Sequence, residues 1–403
     1  MASNISRAGP GRTSGCARLE ILSTRNKNIN GKRNVRTNLA AAALWRMPGR
    51  FEMARVLGPS YSLRCVVFHD VAAESPFTRG MHVTVTPDEF EAALKFLTRY
   101  YTPVRLQDVL DASNGRGLPP RPVLVTFDDG YASIMECAAP LCAQYGVPAV
   151  LFLNAAFLDN EELAPDNLVC FVANVLGMEA INTAVRSVRG AGTPQVRSLG
   201  EVFSPFFESI SLAERRIFLD TLAHLAGIKV NQAAREAGLY LTRRQVRDLA
   251  SDGFEIGNHT YNHVHCRSLT RADFDKEIKR NRAELEALSG RKITSFSVPY
   301  GSSADLTYDL VANLQHSGYE AVFTSESVAN QPRSGCFRFD RISVHASNDG
   351  SLFSEIEVLP RLRAVRNWAS RGFGFVSRSG TNPFQSHVGG PHGEDGLTDL
   401  QRE

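Results

Sequence analysis

Short apolar runs that alternate with helical patterns restrict the fold of this sequence more than any other feature. Residues 63–68, 123–127 and 147–153 form apolar runs of the kind found in buried strands. Between them, residues 87–100 are a predicted helix, because Phe90, Leu94 and Leu97 recur at the spacing of one helix face. Strands that alternate with helices along a chain favour parallel βα units, so we expect an α/β protein.

The same alternation continues in the second half of the chain. Apolar runs at residues 255–258, 293–298, 321–324 and 337–345 are predicted strands, and residues 242–252, 271–289 and 306–317 are predicted helices. Six or seven βα units without a repeat signature predict a closed or nearly closed barrel. The alternation stops over residues 159–237, where helical patterns follow one another, and we interpret this stretch as a helical insert.

Composition sets the expected domain limits. We expect one barrel domain over residues 59–368, a basic disordered extension over residues 1–58 and a disordered tail over residues 369–403. The first 50 residues carry ten Lys/Arg and a single acid, Glu20, which leaves a mildly acidic body without the charge pattern of a nucleic-acid-binding protein. Translation from Met47 or Met53 is an alternative interpretation of the basic extension.

The remaining composition bears on location. No stretch has the roughly 18 apolar residues of a membrane span, and the only apolar run of the basic extension, residues 39–45, is too short for a secretory signal. The seven cysteines are scattered and include no Cys-x-x-Cys pair, which favours reduced thiols. Together these features predict a cytoplasmic protein whose oligomeric state the sequence leaves open.

Polar clusters follow several of the predicted strands. Residues 126–130 read Thr-Phe-Asp-Asp-Gly, residues 259–263 read His-Thr-Tyr-Asn-His, and residues 297–301 read Ser-Val-Pro-Tyr-Gly. His69 ends the first predicted strand. In a βα barrel, reactive groups lie at the carboxyl ends of the strands, because the loops there bring several side chains to one point.

Three of these side chains suit a metal ion. His259 and His263 are four residues apart and can present both imidazoles to one ion if this stretch turns helically. Asp129, from another strand, completes a three-ligand site with positions left for water and substrate. The donor set predicts Zn²⁺, with Co²⁺ and Fe²⁺ as alternatives, and such an ion activates a bound water for attack on an acyl group.

The other polar residues suit the remaining steps of an acyl hydrolysis. Asp128 is the predicted base that takes the proton of the attacking water. His69 is the predicted acid for the departing amine, with His345 as the alternative. The backbone N–H of Tyr300 is the predicted oxyanion donor. Each motif alone is more often a turn or a cap, but their combination at strand ends indicates an active site.

These residues together resemble the NodB-homology polysaccharide deacetylases of carbohydrate esterase family four. The Thr-Phe-Asp-Asp-Gly block resembles the first motif of that family, which implies that Asp128 is the base and Asp129 a metal ligand. His259 to His263 resembles the second motif, in which both histidines bind the metal and the hydroxyl residue, here Thr260, supports the loop. The resemblance implies a distorted (β/α)7 barrel with a helical insertion.

The opening residues 66–71 resemble the poly-N-acetylglucosamine deacetylase-like branch, whose barrel starts with the strand that carries the acidic histidine. This implies His69 rather than His345 as the acid.

One motif departs from the family, since Ser297 stands where many members have an arginine that contacts the catalytic aspartate. That arginine is therefore either missing or supplied elsewhere. The resemblance covers roughly residues 63–158 and 238–345.

The resemblance implies removal of N-acetyl groups from amino sugars of a polysaccharide or glycoconjugate. In a cytoplasmic protein, the carbohydrate substrate is expected to be a lipid-linked or nucleotide-linked sugar. Two alternatives stay open at this point. One is an amidohydrolase that acts on a small non-sugar amide within a narrow pocket closed by residues 159–237. The other is a catalytically silent glycan-binding barrel, which Ser297 suggests.

Overall fold

The computed structural model describes residues 62–331, 335–346 and 348–364. Within these residues, ten strands follow one another in chain order: β1 (Arg64–Phe68), β2 (Asp70–Val71), β3 (Thr84–Val85), β4 (Thr102–Pro103), β5 (Pro122–Asp128), β6 (Ala149–Leu153), β7 (Glu255–Asn258), β8 (Ser295–Ser297), β9 (Ala321–Thr324) and β10 (Arg338–Ser343). The predicted extension 1–58, the predicted tail 369–403 and Cys16 lie outside the described residues.

Seven of these strands form a closed parallel barrel. Neighbours pair in the order β1, β10, β9, β8, β7, β6 and β5, and β5 pairs again with β1. Every pairing is parallel. The predicted (β/α)7 barrel is therefore confirmed. The short strand β4 pairs with β5 outside the ring, while β2 and β3 form a separate two-stranded sheet.

Helices surround the barrel and fill the insert. The α-helices of the described residues are Pro87–Tyr100, Leu106–Ser113, Ala139–Tyr145, Pro165–Leu176, Met178–Arg189, Leu199–Glu201, Leu212–Leu225, Val230–Ala237, Arg243–Ser251, Arg271–Phe274, Arg280–Ser289, Tyr308–His316 and Asp349–Phe353. The first has the predicted limits because a capping box of Thr86 and Glu89 closes its amino end. The predicted helix 271–289 contains a π-helical turn, Asp275–Lys279.

Alternation along each strand decides which side chains enter the barrel. On β5, Val123, Val125 and Phe127 belong to the apolar cluster that packs against the surrounding helices. Leu124 belongs to a second cluster that contains residues of β1, β6, β9 and β10. Because side chains alternate across a strand, Asp128 lies on the same face as Leu124. The apolar run therefore ends with a carboxylate directed into the barrel.

The predicted helical insert (residues 159–237) consists of helices and turns, and all of its residues are described. Its helices surround an apolar cluster of their own, which includes Val169, Ile181, Phe218 and Leu222. Tyr131, which follows β5, is part of the same cluster. The insert therefore packs on the barrel next to the carboxyl end of β5.

Two further observations concern the cysteines and the membrane. The six cysteines within the described residues are free thiols. Among the helices of residues 62–331, 335–346 and 348–364, none has the length and apolar character needed to cross a membrane.

Candidate metal and active site

Asp129, His259 and His263 come together at the carboxyl ends of β5 and β7. Oδ1 of Asp129 lies 3.5 Å from Nε2 of His259 and 3.5 Å from Nε2 of His263. One potential ligand atom from each residue lies within 4.8 Å of the others. All three residues are at most 9% exposed. The structure thus brings the three predicted ligands to one point.

The loop that carries both histidines differs from the sequence prediction. Residues 259–265 are not helical, so the expectation that this stretch turns helically is wrong. Instead Thr260 (φ 63°) and His263 (φ 50°) adopt the left-handed conformation, which is costly for residues with a side chain and is concentrated at functional sites. The side chain of Asn154 stabilises this turn by donating to the carbonyl oxygens of His259 and Thr260.

Thr260 takes part in the same turn through its backbone and its side chain. Its N–H donates to Oδ1 of Asn258 over 2.9 Å, and its hydroxyl accepts from the N–H of Val264 over 3.2 Å. The predicted supporting role of Thr260 therefore has a structural basis. These tertiary hydrogen bonds override the local preference for a helical turn.

His259 is oriented by the barrel. Its Nδ1 lies 2.8 Å from the carbonyl oxygen of Ser297, so the ring donates from Nδ1 and leaves Nε2 free to accept. Burial is the main reason why the pKa of His259 falls to about 3, against the opposing effect of Asp128. A neutral imidazole whose other nitrogen donates to a carbonyl is the arrangement typical of metal ligands.

Asp129 lies in an environment that suits a cation. Burial, reinforced by the carboxylates of Asp128 and Asp166, raises the pKa of Asp129 to about 7 despite the facing His263. Its buried Oδ1 has no hydrogen-bond partner among the described residues. Buried polar atoms are normally paired, so this oxygen, beside two imidazole nitrogens, fits a divalent cation.

The carboxylate of Asp128 faces a guanidinium that the motifs did not reveal. Nη1 and Nη2 of Arg341, on β10, donate to Oδ1 and Oδ2 of Asp128, each over 2.7 Å. Burial opposes ionisation of Asp128, but Arg341 and then His259 outweigh it and hold its pKa well below the usual range. Arg341 also donates to the hydroxyl of Ser297 over 2.7 Å.

The departure at Ser297 is therefore explained by tertiary structure. The side chain of Arg341, from β10, contacts both the hydroxyl of Ser297 on β8 and the carboxylate of Asp128 on β5. The arginine that many family members carry at the position of Ser297 is therefore not missing in this chain but is supplied by another strand. Arg341 lies two residues after Phe339 on β10, which reads Arg-Phe-Asp-Arg-Ile-Ser. Nothing in this stretch of sequence identifies Asp128 as the partner of Arg341.

His69 and His345 end two neighbouring strands. In the parallel pairing of β1 with β10, Cys65 lies beside Arg341 and Val67 beside Ser343. If this register is continued by two residues, His69 falls beside His345. Burial lowers the pKa of His69 to about 4. Asp128 opposes this decrease, whereas Arg341 and His345 add to it. His69 thus lies near Asp128 and His345 lies near His69, and the choice of His69 as the acid stays a prediction.

Tyr300 has a left-handed backbone (φ 61°) directly after Pro299. Its ring packs against two histidines, with its centroid 4.0 Å from that of His265 and 4.7 Å from that of His263. Its hydroxyl donates to Oδ1 of Asp166 over 2.9 Å. The predicted role of its backbone N–H as oxyanion donor stays a prediction.

The helical insert contributes two polar residues that the sequence analysis did not select. Oδ2 of Asp166 lies 2.5 Å from Nδ1 of His263, and Nη2 of Arg215 donates to the carbonyl oxygen of His263 over 2.7 Å. Burial acts to lower the pKa of His263, but Asp166 and Asp129 outweigh it and raise the pKa. An acidic residue in the first turn of a helix is common because it stabilises the helix, so the sequence did not indicate a functional role for Asp166.

The structure is a closed (β/α)7 barrel with a buried Asp/His/His cluster at the carboxyl ends of its strands, and known proteins were compared with this chain. Residues 217–321 match the model of the family described as polysaccharide deacetylase. The match includes His259 and His263 and confirms the resemblance drawn from the motifs.

Individual relatives are distant. The putative polysaccharide deacetylase YxkH of Bacillus subtilis (strain 168) is 20% identical over 293 residues, which are 72% of this chain and 74% of that protein. The uncharacterized protein YlxY of the same organism is 33% identical over 69 residues, 17% of this chain and only 22% of its own length. The structure of the Streptococcus pyogenes deacetylase PplD in complex with acetate aligns with a TM-score of 0.47 at 16% identity, covering 73% of this chain and 98% of that chain.

Proposed function

We propose that this chain is a metal-dependent hydrolase that removes N-acetyl groups from amino sugars of a polysaccharide or glycoconjugate. The observation that carries the proposal is the pairing of two adjacent carboxylates with different environments. Asp129 faces two imidazoles, and Asp128 faces a guanidinium. Adjacent acids with opposed environments suit two roles, one as ligand and one as base. The polysaccharide deacetylase domain match supports the acyl chemistry.

Asp129, His259 and His263 would hold the metal ion. When bound, a divalent ion of this kind polarises the acyl oxygen and activates water. We propose Zn²⁺, because two imidazoles and one carboxylate are a common catalytic zinc set, and the same donors also suit Co²⁺ or Fe²⁺.

Asp128 would take a proton from the attacking water. Arg341 supports this role in two ways, since it keeps the carboxylate ionised and fixes the direction of both oxygens. His69 would deliver a proton to the departing amine, with His345 as the alternative, and the backbone N–H of Tyr300 would donate to the developing oxyanion.

The substrate we propose is an N-acetylated glycan or a lipid-linked amino sugar. An amidohydrolase acting on a small amide is the second candidate, and one observation favours it. The insert closes one side of the metal cluster, with Asp166 and Arg215 in contact with His263. The alternative of a silent glycan-binding barrel loses its support, because Arg341 provides the guanidinium that is absent at position 297.

The test is acetate release from a panel of N-acetylhexosamine oligomers and acetylated xylan. Wild type, metal-stripped protein and Asp128→Asn are compared, with the exposed Asp309→Asn as the matched control. We expect release from the N-acetylated oligomers that needs both metal and Asp128. The residual rate of Asp128→Asn should be lower by about 100-fold or more, the typical contribution of a general base.

Other outcomes would redirect the proposal. Release from acetylated xylan alone would assign an O-acetyl ester as the substrate. Silence across the panel with metal still bound would favour a small amide or a binding role. Full activity in Asp128→Asn would contradict the assignment of the base.

A further inference from the structure

The two imidazoles of the candidate metal site are held by different parts of the molecule. Nδ1 of His259 faces the carbonyl oxygen of Ser297 at the end of β8. Nδ1 of His263 instead faces a carboxylate of the helical insert, that of Asp166. In both rings this leaves Nε2 directed toward Asp129. One histidine is therefore oriented by the barrel and the other by the insert.

Asp166 is placed to hold His263 firmly. It lies in the first turn of the helix Pro165–Leu176 and is only 3% exposed. Its two oxygens have different partners. Oδ2 lies 2.5 Å from Nδ1 of His263, an ion-pair contact that does not meet hydrogen-bond geometry, and Oδ1 accepts from the hydroxyl of Tyr300 over 2.9 Å. A carboxylate fixed at both oxygens cannot rotate away from the ring without losing a buried contact.

The backbone of the same histidine is also fixed by the insert. Nη2 of Arg215, from the helix Leu212–Leu225, donates to the carbonyl oxygen of His263 over 2.7 Å, and Arg215 is 7% exposed. His263 has a left-handed backbone (φ 50°), which needs support from its surroundings. The insert thus contacts both the side chain and the strained backbone of one predicted ligand.

We infer that Asp166 is a positioning residue that orients His263 for the metal ion, so that the helical insert completes the metal site of the barrel. The inference rests on the proposed function. Carboxylates that accept from the outer nitrogen of a ligating histidine fix its orientation and increase its basicity, and their loss typically weakens metal binding about 10- to 100-fold.

Metal affinity is the direct test, because it does not depend on turnover. Zn²⁺ and Co²⁺ dissociation constants are measured on the full chain by competition with a chelator, for wild type and Asp166→Asn. Asparagine keeps the shape of the side chain and removes its charge. Glu162→Gln is the matched control, since Glu162 is an exposed acid in the segment just before the same helix.

We expect Asp166→Asn to raise the Zn²⁺ dissociation constant about 10- to 100-fold and Glu162→Gln to leave it within about twofold. The visible spectrum of the Co²⁺ form should also change in Asp166→Asn, because the orientation of one ligand changes. Acetate release should recover as Zn²⁺ is added to saturation, which separates this variant from Asp128→Asn. A merely structural role of Asp166 would lower the melting temperature without changing the affinity of the folded protein.

A second variant covers the case in which Asp166→Asn does not fold. Tyr300→Phe removes the hydrogen bond to Oδ1 of Asp166 but retains the ring and the backbone, and it should raise the Zn²⁺ dissociation constant by a smaller factor. An unchanged dissociation constant in any folded variant that lacks the Asp166 carboxylate or its fixing hydrogen bond would overturn the inference. If wild type binds neither metal, the proposed function fails first, and the two failures are thereby distinguished.

Discussion

The carboxylate of Asp128 lies inside the barrel at 3% exposure, and Arg341, which is 1% exposed, contacts both of its oxygens. Each of these ions alone would lose several kcal/mol of hydration on burial. Paired in a two-pronged contact they satisfy one another, and the geometry sets the direction in which Asp128 presents its oxygens. The residue that decides the behaviour of the predicted base therefore comes from a strand 213 positions away.

Replacement of Arg341 by lysine tests this geometry. Lysine retains the charge but lacks two parallel donors, so Asp128 should stay ionised while its oxygens lose their fixed direction. We expect kcat for acetate release to fall about 10- to 100-fold and the free energy of unfolding to fall by about 1–3 kcal/mol.

Steady-state acetate release and urea unfolding measure the two quantities. Arg338→Lys is the control, because Arg338 lies on the same strand but its side chain is 43% exposed and pairs with Asp340. A kcat within twofold of wild type in Arg341→Lys would show that the two-pronged contact is dispensable.

Strand β7 is the element that delivers both predicted histidine ligands, and its packing leaves no room for a side chain at Gly257. A Cβ at this position would lie 2.3 Å from Cδ1 of Phe152 and 2.9 Å from Oγ of Ser295. Phe152 is a buried ring of β6 that also packs on Phe323. The glycine two residues before His259 therefore lets β7 approach its neighbours closely.

Gly257→Ala should consequently destabilise the protein. Overpacking of a close contact costs about 1–3 kcal/mol, so we expect a decrease of that size in the free energy of unfolding, measured by urea titration. Gly117→Ala is the matched control, because a Cβ there meets nothing within 4 Å, and its effect should stay within about 0.5 kcal/mol. Equal stabilities of the two variants would contradict the close approach at β7.

At the scale of the whole molecule, a buried ion pair joins the two ends of the described chain. Glu357, in the π-helical turn Ser354–Val358, lies 2.9 Å from Nη2 of Arg64 on β1. It also accepts from the hydroxyl of Tyr101 over 2.6 Å and pairs with Arg361. The side chains of Arg64 and Glu357 are each 7% exposed. The last helical segment is thereby fixed to the first strand.

This contact predicts a pH dependence of stability. Burial would raise the pKa of Glu357, but Arg64, Arg361 and the Tyr101 hydroxyl outweigh it and hold the pKa below its ordinary value. A lowered folded-state pKa means that the carboxylate stabilises the fold above its unfolded pKa of about 4.3 and loses this effect as pH falls through the folded pKa.

Glu357→Gln should therefore reduce the free energy of unfolding at pH 7 by about 3–5 kcal/mol, since Arg64 would lose its buried partner. The difference from wild type should shrink as pH falls below about 4. Urea unfolding of both proteins between pH 7 and pH 3 measures it. A difference that is constant over this range would mean that the charge of Glu357 does not contribute.

Local signals determined much of this protein from its sequence alone. Periodicity predicted the helix Pro87–Tyr100 with its observed limits, and alternating runs predicted the barrel strands to within a few residues. The strand-end motifs selected Asp128, Asp129, His259 and His263, which the structure brings together. The motifs locate these residues near one another because a strand end in a parallel barrel has a known location, so short motifs carry three-dimensional information.

Tertiary structure alone decided the partners of these residues. Arg341 reaches Asp128 across the barrel, Asp166 reaches His263 from the insert, and Asn154 holds the left-handed turn after His259. In sequence, each of these is a single polar residue that reads equally well as a surface charge or a helix cap. A local pattern cannot report a contact between distant segments, because the packing of whole elements sets the distance between them.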